Sequence, residues 1–198
     1  DSGRLITTGI NNTLVGALAG DALTDADNNV AVGEEALSTD TLGSKSTAIG
    51  GNALANQNYA TATDSFNTAV GFDAGVAVTT ATENVLIGGL AGDALINGGQ
   101  NVAVGHAALS AEDGHGQNVA IGYLALVVQN AGATAYNTAV GSQAGAAVTT
   151  GVQNTFVGGL AGDATDDGTN NVAVGFEALS ANCGSGNTTL GTRAGKII

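Results

Sequence analysis

The sequence predicts an all-β protein, a parallel β-solenoid (β-roll) of about eleven coils of roughly 17 residues each. Three observations predict it. A unit of the form N-[TV]-x-[VIL]-G-x-x-A-[GL] recurs eleven times along the chain. The copies start 17, 17, 21, 17, 17, 17, 19, 17, 17 and 16 residues apart, a spacing that suits a coil of two short strands and two turns. The composition is that of a thin core repeated many times: 43% hydrophobic, 4% aromatic, 32 Gly among 198 residues, and no Pro, Met or Trp. Helical repeats of 33–34 residues and leucine-rich repeats of 20 or more do not fit this period.

The unit begins at Asn12, Asn29, Ser46, Asn67, Asn84, Asn101, Asn118, Asn137, Asn154, Asn171 and Asn187. Its second to fourth residues alternate as strand side chains do. The Val, Ile or Leu at the fourth position favours a β-strand and suits a buried strand face. The opposite face carries mostly Ala and is expected to meet other chains, because a strand apolar on both faces is usually covered on both. The fifth residue is Gly in all eleven copies, as a strand end at positive φ requires. The Asn, stacked coil on coil, is expected to form a ladder of amide hydrogen bonds. One coil cannot cover its own apolar surface, so neighbours must do so.

The chain divides into an N-terminal lead-in, residues 1–11, and one solenoid domain, 12–195. A longer period runs within the domain. The ninth position reads Gly, Leu, Leu, Gly in successive copies, and the two long spacers follow the third and seventh copies. Four coils therefore form a super-repeat: 12–83, 84–153, and a partial third at 154–198. The eleventh copy breaks phase, with Gly195 where Leu is due.

Charge narrows the functions. The net charge is −13, with only Arg4, Lys45, Arg193 and Lys196 as cations. Nucleic acid calls for clustered cations, so it is not an expected partner. No run of about 18 apolar residues is present, so no direct membrane insertion is expected. The single cysteine, Cys183, allows no disulfide within the chain.

The arrays NVAVG, NTAVG and NVAIG, each followed by an Ala-containing turn, resemble the head repeats of YadA-like trimeric autotransporter adhesins. They are also similar to the NTAVG…AG and NTFVG…AG arrays of phage tail fibres, of the kind found upstream of endosialidase-type intramolecular chaperones. The likeness covers residues 12–195. It implies a homotrimer of left-handed parallel β-rolls packed around one axis. It further implies an extracellular place, on a virion tail fibre or a bacterial surface. The period of about 17 residues departs from the shorter one near 14 of the adhesin heads, so the turns are longer here.

Candidate site residues lie in the turns. Asp21, Asp25 and Asp27 in GDALTDADN, and Asp163, Asp166 and Asp167 in GDATDDGTN, form a possible Ca²⁺ set. Their spacing matches neither the EF-hand loop nor the nonapeptide repeat, and a solvated turn is the plainer reading. His106 and His115 read as exposed turn residues. Among the aromatics, Tyr59, Phe66 and Tyr136 sit in the two long spacers, 54–66 and 126–136, and are the candidates for receptor contact. The plainer alternative is that they pack between chains. No catalytic residue, no cofactor and no enzyme activity is expected: no Ser/His/Asp spacing recurs, and no carboxylate pair stands out.

The expected function is a structural or adhesive fibre segment that binds a host or cell-surface glycan or protein. Two rivals follow from the same residues. An ice-binding β-solenoid needs a steady Thr row, whereas the second position mixes Thr and Val. A fibre-borne glycan-degrading enzyme needs a catalytic pair across chains.

Overall fold

A computed structural model describes residues 1–196. Each repeat unit supplies one three-residue strand: β1 (Thr13–Val15), β2 (Val30–Val32), β4 (Thr47–Ile49), β6 (Thr68–Val70), β7 (Val85–Ile87), β8 (Val102–Val104), β9 (Val119–Ile121), β10 (Thr138–Val140), β11 (Thr155–Val157), β12 (Val172–Val174) and β13 (Thr188–Leu190). These eleven form a single parallel sheet in chain order, each paired in register with the next. At about 4.8 Å per strand the stack is roughly 50 Å long. The expected solenoid is what the chain forms.

The expected second strand per coil is largely absent. Only β3 (Gly43–Ser44) and β5 (Thr63–Asp64) pair on another side. Elsewhere the coil closes through residues that alternate in backbone hand. In the coil that starts at Asn101, Ala107, Leu109 and Gln117 all sit at positive φ, near 52°, 55° and 65°. Each such residue costs about 1 kcal/mol or more in local sterics. The return is a turn tight enough to bring Leu109 wholly into the core.

The faces of the strand are the reverse of the expectation. In the nine strands of this sheet between β1 and β13 the middle residue is buried and its two neighbours are not. Ala31, Ala48, Ala103 and Ala120 point inward with no exposure, while the Val and Ile of the fourth position point out. The reason is room. Where the ninth residue is Leu (Leu37, Leu54, Leu109, Leu126, Leu179), it occupies the core and the strand can contribute only Ala. Where the ninth residue is Gly, the space belongs to others. A Cβ on Gly92 would stand 2.7 Å from Leu86 Cδ2 and 2.8 Å from Leu95 Cδ1, and one on Gly162 would strike the buried Phe156 ring at 2.5 Å. Such interiors are close-packed, so these volumes must trade against each other.

The twelfth position follows the same alternation. It is Leu23, Val78, Leu95, Val148 and Thr165 in the described coils with ninth-position Gly, all fully buried. In the paired Leu coils it is Asp40 with Gln57, and Glu112 with Gln129, also fully buried. Gln57 Nε2 donates to Asp40 Oδ2 at 2.6 Å, and Gln129 Nε2 donates to Glu112 Oε2 at 2.8 Å. Asn67 and Asn137 then donate to the respective Gln Oε1. Buried polar groups are tolerated when bonded in this way. The four-coil period is thus a period of the core: two coils filled by hydrocarbon, then two linked by a carboxylate–amide chain.

The Asn ladder exists, but most rungs run from side chain to main chain. Each Asn Oδ1 accepts the backbone N–H of the first residue of the next coil, as Asn101 does from Asn118 at 3.0 Å. In seven of the ten Asn the Nδ2 donates to a carbonyl 14 residues on, as Asn84 does to Gly98 at 3.0 Å, whereas Asn118 donates to Gly116 O, Asn187 to Gly184 O, and Asn171 Nδ2 is buried without a partner. Ser46 interrupts the ladder, and Gln57 and Ser65 bond its hydroxyl instead. No helix among the described residues is long and apolar enough to cross a membrane.

Candidate interaction surfaces

The reversed strand faces leave an apolar surface outside. Two rows run the length of the sheet: the second-position Thr and Val residues, and the fourth-position Val, Ile and Leu residues. Ile49, Ile87, Ile121 and Val157 are exposed to 36–38% even inside the stacked rows, and Val15 and Leu190 at the two ends more so. A border of side chains flanks each row. On one side, the residues before the Asn form a line in which Phe66 and Tyr136 are exposed at 52% and 55%. On the other, Phe72, Tyr123 and Phe176 stand out beyond the strand-ending Gly. His106 stacks on Tyr123 there, ring centroids 5.9 Å apart.

The three receptor candidates separate. Phe66 and Tyr136 occupy equivalent rungs of one border, and Lys45 lies 5.1 Å over the Phe66 ring. Tyr59 is buried, contrary to its expected exposure. Its hydroxyl donates to Ala81 O at 2.5 Å and accepts from Asn67 Nδ2 at 3.2 Å. Burial, and then the neighbouring Asp40, push its pKa well above the usual phenol range. The four extra residues of the long spacer fold Tyr59 inward to satisfy the polar core, and no sequence pattern signalled that.

The two Asp sets are not drawn together as ion ligands. Asp25 Oδ1 accepts from the Thr8 hydroxyl, Asp27 Oδ1 from the Ile10 N–H, and Asp21 lies 3.7 Å from Arg4. These contacts tie the lead-in to the first coils. In the other set, Asp166 Oδ1 accepts the N–H of Asp167, and one oxygen of Asp163 is buried without a partner. Among the described residues, the one set of three possible metal ligands within 4.8 Å of one another is Glu112, Asp113 and His115. Sequence reading did not group them. Glu112 Oε1 already accepts from the His115 N–H at 3.0 Å and lies 3.3 Å from its Nδ1, so local bonding accounts for the cluster. Burial raises the pKa of both Glu112 and Asp40, against the lowering effect of these hydrogen bonds.

A cleft of about 400 Å³ opens beside His115. It is lined by Thr80, Thr82 and Glu83 below, by residues 97–100 and 114–117 at its floor and sides, and by Thr134 of the second long spacer above. No described protein family, no curated protein and no solved structure matches this chain.

Proposed function

We propose that the chain is a rigid segment of a homotrimeric fibre, of the kind that forms phage tail fibres or bacterial surface adhesins, and that its role is structural and adhesive. The observation that carries this reading is the exposed face of the eleven-stranded sheet. Two in-register rows, about 50 Å long and, with the border of Phe72, Tyr123 and Phe176, about 15 Å wide, offer roughly 750 Å² per chain. Soluble monomers rarely expose contiguous apolar patches above a few hundred Å², and a stable interface takes about 800 Å² from each partner. A second and third copy of the same surface match it in length, periodicity and polarity. The backbone of every strand in the face is already paired within the chain, so assembly rests on side chains alone.

Ice binding would use the same face for water. Val30, Val85, Val102, Val119 and Val172 interrupt its Thr row, which favours contact with protein over ordered water.

Sedimentation equilibrium tests the proposal. The expected mass is three times the 19.0 kDa chain. Replacing Val104 and Ile121 together by Lys places two charges at the centre of the face and should reduce the mass to one chain, with the solenoid's circular dichroism retained. A wild-type mass of 19.0 kDa would end the proposal.

A further inference from the structure

The cleft beside His115 exists because side chains are missing. Residues 97–100 read Asn-Gly-Gly-Gln and 114–117 read Gly-His-Gly-Gln. The equivalent stretches of the first super-repeat, 72 residues earlier, read Asp-Ala-Asp-Asn and Leu-Gly-Ser-Lys. Side chains at Ala26, Asp27, Leu42 and Ser44 thus become Gly98, Gly99, Gly114 and Gly116. Three of these glycines also permit close backbone stacking: a Cβ on Gly98 would stand 2.1 Å from His115 O, one on Gly116 1.9 Å from Gly99 O, and one on Gly99 2.8 Å from Thr82 O. Gly114 is different. A Cβ there meets only Asn97 Oδ1, at 3.1 Å, and its φ lies outside the left-handed region. It keeps the cleft open without being needed by the fold.

The lining is hydroxyl, amide, imidazole and carboxylate, with no aliphatic side chain beyond the Thr methyls. One wall is a polarised ladder. Gln100 Nε2 donates to Glu83 Oε2 at 2.8 Å, and Gln117 Nε2 donates to Gln100 Oε1 at 2.9 Å. Each amide commits one of its two N–H groups to the rung below, and each retains another for a ligand. The next rung, by the strand register, is the exposed Tyr136. None of the chain's four Lys and Arg residues lines the cleft, whereas Glu83 does, so an anionic ligand has no partner there. A volume of this size is in the range of small-ligand sites.

We propose that this cleft binds a neutral oligosaccharide, with hydroxyls held by Gln100, Gln117 and Thr134 and one sugar face against Tyr136. The proposal rests on the adhesive part of the reading above and gives it a place and a ligand class. A peptide would need apolar pockets for its side chains, and the cleft has none.

Saturation-transfer NMR on the full chain tests it, with maltohexaose, laminarihexaose and mannohexaose as neutral probes and hexagalacturonate as the anionic one. At least one neutral hexasaccharide should receive transfer and hexagalacturonate should not. Gly114→Leu restores the first super-repeat's residue and fills the cleft; Gln117→Ala removes a rung. Each should weaken binding about tenfold or more, the loss expected for one or two hydrogen bonds to a sugar. Absence of transfer to all three neutral probes would overturn the proposal, as would neutral binding that neither variant changes. Mass and binding are read separately. A trimer without transfer ends the cleft proposal alone, and a single-chain mass with transfer ends the trimer alone.

Discussion

Gly105 and Gly114 belong to one coil and obey opposite rules. Gly105 ends a strand at φ 137°, and a Cβ on it would lie 2.4 Å from the Gly122 carbonyl oxygen of the next coil. Gly114 sits at the far corner, where a Cβ meets only the side-chain oxygen of Asn97, which can turn aside. The strand edge is the part of the coil that every copy repeats, because each residue there has a backbone neighbour directly above and below. The corner between the twelfth position and the next Asn is the part that varies. It holds the long spacers, the cleft and the buried Tyr59. A repeat protein of this kind separates what must be identical from what is free to differ, coil by coil.

The sharpest way to break this comparison is to add the same methyl group at both places. Gly105→Ala should cost more than about 4 kcal/mol, since both the φ and the carbonyl contact oppose it. Gly114→Ala should stay within about 0.5 kcal/mol. Denaturant midpoints of the two variants measure the contrast, and similar losses would mean that the corner is as constrained as the edge.

Asn101→Ala comes next in size. It strips the Oδ1 that accepts the buried N–H of Asn118, and the Nδ2 that donates to His115 O. An unsatisfied buried N–H costs about 1–3 kcal/mol. Amide hydrogen exchange should show the loss of protection concentrated at Asn118 and its neighbours, rather than spread along the rod.

The smallest effect concerns the corner's buried carboxylates. Asp40 and Glu112 have folded-state pKa values raised by burial. The folded state therefore holds their protons more tightly than the unfolded chain does. Their contribution to stability is full below the ordinary carboxylate range and is lost as the pH rises through the raised values. In the double variant Asp40→Asn, Glu112→Gln this dependence is gone. The stability of wild type relative to the variant should fall as the pH rises from acid to neutral, read from thermal midpoints across that range. A flat difference would show that neither carboxyl carries the burial penalty.

Much of the fold was legible from eleven aligned copies. The coil length, the parallel stack, the glycine at the strand end and the Asn ladder all follow from period and residue type. The inside of the coil was harder. Alternation shows that residues 102 and 104 share one face and 103 the other, but not which face is inward. The answer lay in volumes at three positions read together: Ala103 beside Leu109 and Glu112, against Leu86 beside Gly92 and Leu95. Gly stands at the ninth position where neighbouring large side chains already fill its space, as Leu86 and Leu95 do around Gly92. The surfaces were less legible still. Phe66 and Tyr136 are exposed as their places in the spacers suggested, yet Tyr59, in the same kind of segment, turns inward to close a hydrogen-bond chain. The cleft arises from absent side chains in two adjacent coils, and a reading of residues one coil at a time does not reveal it.

The departures from a 17-residue spacing carry a consequence for how such a chain changes over time. The two longer coils and the shorter one all gain or lose residues at the same corner, between Gln57 and Asn67, Gln129 and Asn137, and Asn182 and Asn187. The strands on either side stay in register through each of them. The stack thus counts coils and is indifferent to residues added at that one port. Foreign segments of several residues grafted after position 61 or 132, where the spacers are exposed, should be displayed along a fixed line on the rod, at heights set by whole multiples of the strand spacing. The molecule works as a ruler with one writable margin.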